Sequence, residues 1–211
     1  MFKSKMLIVA PLVLFCIIGA SARSCVSHVP QTGQTGCDNK SGDEIACEEG
    51  SDGYLQRGLP WPTPRFTDNG NGTVTDNLTE LIWLKDASSE DTVSWYDALT
   101  YCNNLADGYC GLKDGSVVGD WRLPNVRELN SLIHYGFYKP ALPDTAGTGQ
   151  WLKDDDPFTG VESQGFYWSS TTFAVTATDS AWGMTMSHGG TSYRGKGARS
   201  GYVWPVRGGS W

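Results

Sequence analysis

The segment Gly119-Asp120-Trp121-Arg122-Leu123-Pro124-Asn125-Val126-Arg127-Glu128-Leu129 constrains this chain more than any other, because it fixes where a strand must stop and a helix begin. Pro124 locks its own φ and disfavours helix at Leu123, so the chain arrives extended. Asn125 then caps a helix, and Glu128, three residues on, completes a capping-box pattern. Val126, Leu129, Leu132 and Ile133 recur at helical spacing, with Arg127, Glu128 and Asn130 on the opposite, wet face. Trp121 and Leu123 alternate with Asp120 and Arg122, as in a strand half buried against that helix. Trp121, Arg122, Pro124 and Asn125 thus form a structural hub rather than a catalytic one.

Residues 1–22 read as a secretory leader: Lys3 and Lys5 precede the apolar run Met6 to Ile18, and Ala20-Ser21-Ala22 supplies a cleavage site. The apolar run is too short for a comfortable membrane span, and no second one follows, so no transmembrane segment is expected. The 211 residues carry 16 basic and 23 acidic side chains, and losing Lys3 and Lys5 with the leader would leave 14 basic ones. An acidic balance of this kind argues against general nucleic-acid binding. The expected location is secreted, periplasmic or at the cell surface.

Cleavage would remove Cys16 and leave Cys25, Cys37, Cys47, Cys102 and Cys110. In an oxidising compartment the short Gly108-containing loop suggests a Cys102–Cys110 disulfide, and Cys37 with Cys47 is the preferred second pair. Cys25 is left over as a free thiol, a crosslink to another copy, or a lipid anchor. Ala22-Arg23-Ser24 lacks the aliphatic residue that normally precedes a lipidated cysteine by three positions.

From Arg23 to Pro64 the chain is rich in Gly, Ser, Thr, Gln, Asp and Pro and has little periodicity, as in a loosely ordered stalk. Phe66-Thr67-Asp68 and Thr73-Val74-Thr75-Asp76 flank Asn69-Gly70-Asn71-Gly72 and predict a hairpin. An EF-type calcium loop counted from Asp68 would put Gly70 at the third position and Thr73 at the sixth, so spacing does not support calcium. Leu78, Leu81, Ile82, Trp83 and Leu84 suggest a central strand. Ser94 and Asp97 cap a second helix with Trp95, Ala98, Leu99, Cys102 and Leu105 on one face. Gly136 to Gln164 reads as a long loop, in which Asp154-Asp155-Asp156 is a solvated charge run in preference to a cation site. Four short aromatic strands follow, around Phe166–Ser170, Ala181–Met184, Ser192–Arg194 and Tyr202–Trp204.

Phe66 through Thr79, Leu81-Ile82-Trp83, Asp120-Trp121-Arg122-Leu123-Pro124-Asn125, Tyr167-Trp168-Ser169-Ser170-Thr171-Thr172 and Val203-Trp204-Pro205-Val206-Arg207-Gly208-Gly209 together resemble the bacterial Lcl C-terminal-domain family. The resemblance runs from about Arg65 to Gly209. It implies a C-type-lectin-like α+β fold, two helices packed on short, mostly antiparallel strands with long loops. It also implies a surface adhesin's ligand chemistry, a sulfated polysaccharide. The arginine-leucine-proline entry into a helix is similar to that of formylglycine-generating enzymes, whose paired C-terminal catalytic cysteines have no counterpart after Cys110. Many family members carry a cysteine where this chain has Ala87-Ser88-Ser89, which implies a changed partner for Cys110. The collagen-type Gly-x-y repeat of the adhesin is missing, so trimerisation by that route is not implied.

Catalytic candidates are few. His28 lies in the stalk, His134 at the end of the hub helix, where it would assist the last carbonyls, and His188 in a turn; HExxH, CxxC and Gly-x-Ser-x-Gly do not occur. Binding has better candidates. No acidic residue occurs from Ser180 to Trp211, whereas Arg194, Lys196, Arg199 and Arg207 do, among Tyr193, Tyr202, Trp204 and Trp211. Arginine forks suit sulfate, phosphate or carboxylate, and aromatic rings cover the apolar faces of sugars. Tyr193, Arg194, Lys196 and Arg199 are the expected ligand face, against the alternative of a solubilising edge over core aromatics, to which Trp204 and Arg207 belong.

The expectation is therefore a leader at 1–22, a stalk at 23–64 and a domain at 65–211. The domain would act as an exported, non-enzymatic binding module for an anionic or sulfated glycan or a surface protein in adhesion. It would need no cofactor or metal. The alternative is an assembly subunit of a cell-surface structure, with Cys25 as a route to a homo-oligomer.

Overall fold

The computed structural model describes residues 29–88, 91–175 and 179–208; the leader, Cys25, His28 and Trp211 lie outside the described residues. The Asn-Gly-Asn-Gly turn does form a hairpin between β3 (Phe66–Asp68) and β4 (Thr73–Asp76), in antiparallel register Phe66 to Asp76 and Asp68 to Val74. Gly70 and Gly72 adopt φ of +70° and +85°. At Gly72 a side chain is also barred by space, since a Cβ would sit 2.5 Å from the Gly111 carbonyl oxygen. The turn's acceptors serve the turn itself: Gly70 N–H donates to Asp68 Oδ1 at 2.9 Å and Thr73 Oγ1 to Asn71 Oδ1 at 2.7 Å.

The fold is mixed α/β with mostly antiparallel sheets and few helices. β5 (Leu81–Leu84) pairs with β4 on one side and with β9 (Val206–Gly208) on the other, giving the order β3-β4-β5-β9. A second antiparallel sheet runs β6 (Phe166–Thr172), β7 (Ser180–Thr185), β8 (Gly190–Gly195). Tyr202–Trp204 forms no strand of its own. Tyr202 makes a single parallel bridge to Tyr167, and Pro205 cannot donate to a ladder, so regular pairing resumes only at Val206. Trp204 fills the space between the sheets, its ring 5.7 Å from Trp83 of β5, 5.5 Å from Tyr167 of β6 and 4.8 Å from Phe158.

Two longer helices close the core. α2 (Trp95–Asn104) starts at Ser94, whose hydroxyl accepts from Asp97 N–H, and buries Trp95, Ala98 and Cys102. α3 (Val126–Ser131) starts at Asn125 with a complete capping box. Glu128 is buried rather than on a wet face. Its carboxylate takes both Arg122 guanidinium nitrogens at 2.7 Å and the Asn125 N–H at 2.7 Å, so the cap and an ion pair share one carboxylate. Trp121 and Leu123 are buried while Arg122 faces outward, but the extended segment makes only one bridge, Arg122 to Val206.

Tryptophan side chains bind the irregular segments to this frame. The indole N–H of Trp95 donates to Ser169 O at 2.8 Å, Trp168 to Val93 O at 2.9 Å, Trp204 to Leu84 O at 2.9 Å and Trp121 to Ser116 Oγ at 3.0 Å. Each ring buries apolar area while its one donor satisfies an oxygen that no helix ladder serves. The 136–164 loop is held likewise, with Leu142, Trp151 and Phe158 in the core. Its three aspartates take separate partners: Asp154 accepts from Gly160 N–H, Asp155 pairs with Lys85 at 2.8 Å, and Asp156 accepts from Thr145.

The segment that composition marks as a stalk carries structure from residue 29 onward. β1 (Cys37–Asp38) pairs with β2 (Glu44–Ile45), the Cys37–Cys47 disulfide closes the hairpin, and α1 (Asp52–Leu55) follows. Tyr135 N–H donates to Thr32 O at 2.9 Å and Trp61 Nε1 to Gln31 O at 2.7 Å. His134 is not a helix-end residue, because α3 stops at Ser131. Its ring is buried against Phe137, stacked at 3.9 Å, and the edge of Trp61 at 5.0 Å, and Gly33 packs so closely on it that no side chain would fit there. Among the described residues no helix is long and apolar enough to cross a membrane.

Beneath this contact Arg65 is fully buried, paired with buried Asp76 and donating from Nη2 to Ser131 O at 2.8 Å. Its guanidinium also lies over the rings of Phe66 (4.6 Å) and Trp61 (4.8 Å), and burial lowers its pKa to about 9. Removing one member of such a pair strands the other, so Asp76→Ala should cost about 3–5 kcal/mol of unfolding free energy in urea titrations.

Burial, reinforced by the nearby Arg65 charge and opposed by Asp144, pushes the His134 pKa down to about 4. The unfolded chain then takes up a proton near pH 6.5 that the folded site refuses. Stability should fall as pH drops from about 6.5 to about 4 and lose no more to this group below that. His134→Phe should flatten the curve in that window when thermal midpoints are compared across pH.

Candidate binding surface

β8 is the free edge of its sheet, and all but its first residue are exposed. Register sets what each face displays. Trp182 pairs with Tyr193 and Ala181 with Arg194, and adjacent strand residues point to opposite faces. Gly183 is required here, since a Cβ would collide with the Phe166 ring and the Tyr167 carbonyl.

One face gathers rings. Phe173, just past β6, stacks on Tyr193 with centroids 4.0 Å apart and planes within 7°, and Trp182 stands nearly perpendicular to both at 5.1 and 5.8 Å. Tyr193 is 51% exposed, and Phe173 and Trp182 are half-buried. Cross-strand and stacking contacts hold the three in fixed relative orientation.

The opposite face and the turn beyond it carry the cations, and these are tied to the protein itself. Arg194 lies over the Phe166 ring at 4.1 Å and donates to Ser200 O. Lys196 pairs with Asp179 at 3.2 Å and lies over Trp95 at 4.6 Å, and Trp95 N–H donates to its carbonyl. Arg199 meets Asp97 of α2 at 3.6 Å. Arg207 pairs with Asp114 at 2.9 Å and covers Trp121 at 5.3 Å. Asp179 also accepts from Tyr96 OH at 2.8 Å, and this bond together with Lys196 holds its carboxyl below the usual range. Lys196 and Arg199 thus stitch the turn after β8 to the N-terminal turn of α2, through Trp95, Asp97 and the Asp179–Tyr96 bond.

Of the four expected ligand residues, then, the structure separates Tyr193 from Arg194, Lys196 and Arg199. It joins Tyr193 instead to Phe173 and Trp182, which sequence reasoning did not select. Counting the register back from the turn after Thr185 would have placed Trp182 opposite Tyr193. Phe173 carries no such signal, because it lies outside any strand.

Two concavities accompany this surface. One of about 690 Å³ lies between residues 29–32, Trp61 and α3, and one of about 600 Å³ is bordered by Leu99, Trp121, Arg122 and Glu128. Among the described residues no group of three or more His, Cys, Asp or Glu is placed to hold a metal ion. His188 Nδ1 lies 2.7 Å from Ser187 Oγ, its neighbour in the β7–β8 turn.

The expected Cys102–Cys110 disulfide is not formed: both are free thiols. α2 runs on to Asn104 and turns Cys102 into the core beside Val93, Ala98 and Leu123, where burial raises its pKa. Cys110 sits at φ +48° in an exposed loop with its Sγ 2.9 Å from Tyr101 OH. In the folded protein, maleimide should modify Cys110 within minutes and Cys102 only after denaturation, as read by peptide mass mapping.

A comparison with curated proteins finds none that matches this chain. A family does match: residues 72–207, which include the capping-box hub and the whole β6–β8 sheet, fit the Lcl C-terminal domain. With well over half its length matched in this way, the chain belongs to the Lcl C-terminal domain family.

Proposed function

We propose that this chain is an exported, non-enzymatic binding module with a C-type-lectin-like scaffold, recognising a glycan on a surface partner in adhesion. The supporting observation is the aromatic cluster of Phe173, Trp182 and Tyr193 on one face of the β6–β8 sheet. Sugar rings present C–H faces that dock on aromatic faces, and a ring already held by its neighbours loses little freedom on binding. Membership of the Lcl C-terminal domain family is consistent with this role.

The expected anionic ligand face depended on free cations. Lys196, Arg199 and Arg207 each meet an internal carboxylate, so recognition is assigned to the rings. On a glycan array the protein should bind a restricted set of glycans. Tyr193→Ala should weaken that binding at least about tenfold, the loss typical of a truncated aromatic anchor, with an unchanged circular dichroism spectrum. Array binding that ignores the substitution would remove this surface from consideration.

A further inference from the structure

Building on the proposed glycan-binding role, we infer that the glycan is an uncharged, β-linked pyranose polymer docked flat on the open face of Tyr193, with Phe173 stacked behind it and Trp182 standing perpendicular beside it, rather than a sulfated one held by the late cations.

Three observations carry this. First, the arginines and lysines that could fork onto sulfate are already engaged. Lys196 with Asp179, Arg199 with Asp97 and Arg207 with Asp114 are internal pairs, and Arg194 is held by the Ser200 carbonyl and the Phe166 ring. At Lys196, Arg199 and Arg207 a sulfate would compete with an internal carboxylate for the same cation. Second, the ring face is electrically neutral. Tyr193 stacks on Phe173 with Trp182 perpendicular to both, and Thr191, which shares its face of β8 by alternation, adds only a hydroxyl. Third, the chain's formal charge is −7, which opposes close approach of a polyanion.

The ligand chemistry follows from the ring geometry. Tyr193 has one face against Phe173 and is half exposed, so a flat apolar surface is offered to solvent with a phenol at its rim. A β-linked glucan carries its hydroxyls equatorially and therefore presents flat faces of axial C–H bonds. Such a face stacks on the ring, while its edge hydroxyls meet the Tyr193 and Thr191 hydroxyls and water.

Affinity electrophoresis separates the alternatives with one backbone in two forms, hydroxyethyl cellulose and cellulose sulfate, each cast into a native gel. The full chain should be retarded by hydroxyethyl cellulose, and retardation should persist at about 0.5 M NaCl, where exposed charges beyond a few Å are screened. Tyr193→Ala and Trp182→Ala should each weaken it about tenfold, about 1.4 kcal/mol. Tyr193→Phe, which keeps the ring, should retain it, and Arg199→Ala should leave it unchanged. Retardation by cellulose sulfate alone, abolished by salt or by Arg199→Ala, would overturn the inference while leaving a glycan-binding module in place. Retardation by neither polymer, with the protein folded and array-negative, would overturn both.

Discussion

The buried Arg65–Asp76 pair is the contact on which the assembly of this chain turns. Arg65 lies at the start of the first domain strand and Asp76 at the end of the second, so their pairing locks the β3–β4 hairpin ends. Asp76 Oδ1 also accepts from Leu78 N–H at 2.8 Å, and Arg65 N–H donates to Thr145 O at 3.0 Å. Through Ser131 the same guanidinium reaches the end of α3, and through Trp61 the N-terminal segment. One desolvated charge thus ties the hairpin to the N-terminal segment and to the end of α3. Attraction in a low-dielectric interior is strong, but the cost of dehydrating both ions is comparable. The pair therefore specifies how those segments meet more than it adds net stability.

Around that pin the molecule is held less by regular ladders than by rings. The strands are short, the longest being the seven residues of β6, and the long connections would leave many carbonyls without partners. Indole donors answer this by reaching from the core to loop and strand-end oxygens, as Trp204 does at Leu84 and Trp168 at Val93. A tryptophan of this kind contributes area and a directed hydrogen bond at once, which suits a chain with so little helix.

The charges and the rings divide the two faces of β8. On the α2 side, Lys196, Arg199 and Tyr96 interlock with Asp179, just before β7, and Asp97, in the first turn of α2. On the other side, Phe173, Trp182 and Tyr193 stay half open. One face of the sheet thus carries cations paired within the molecule and the other carries uncharged rings.

Local chemistry was legible in the residue order. The Asn-Gly-Asn-Gly hairpin, the Asn125 and Ser94 caps, the central Leu81–Leu84 strand and the Cys37–Cys47 pair each depend on neighbours within about ten positions, where φ preferences and short hydrogen bonds decide. Family membership was legible too, because it resides in ordered motifs. What each face displays was not. A one-residue change of register exchanges the two sides of β8, so Tyr193 and Arg194, adjacent in the chain, have opposite fates that only sheet pairing assigns. The helical stripe placed Cys102 in the core, but only the packed loop showed Cys110 turned outward to Tyr101. Arg65 reaches Ser131, His134 reaches Trp61, Arg199 reaches Asp97 and Arg207 reaches Asp114 through contacts spanning tens of residues, and such long-range burial and pairing of charge are decided by the tertiary structure alone.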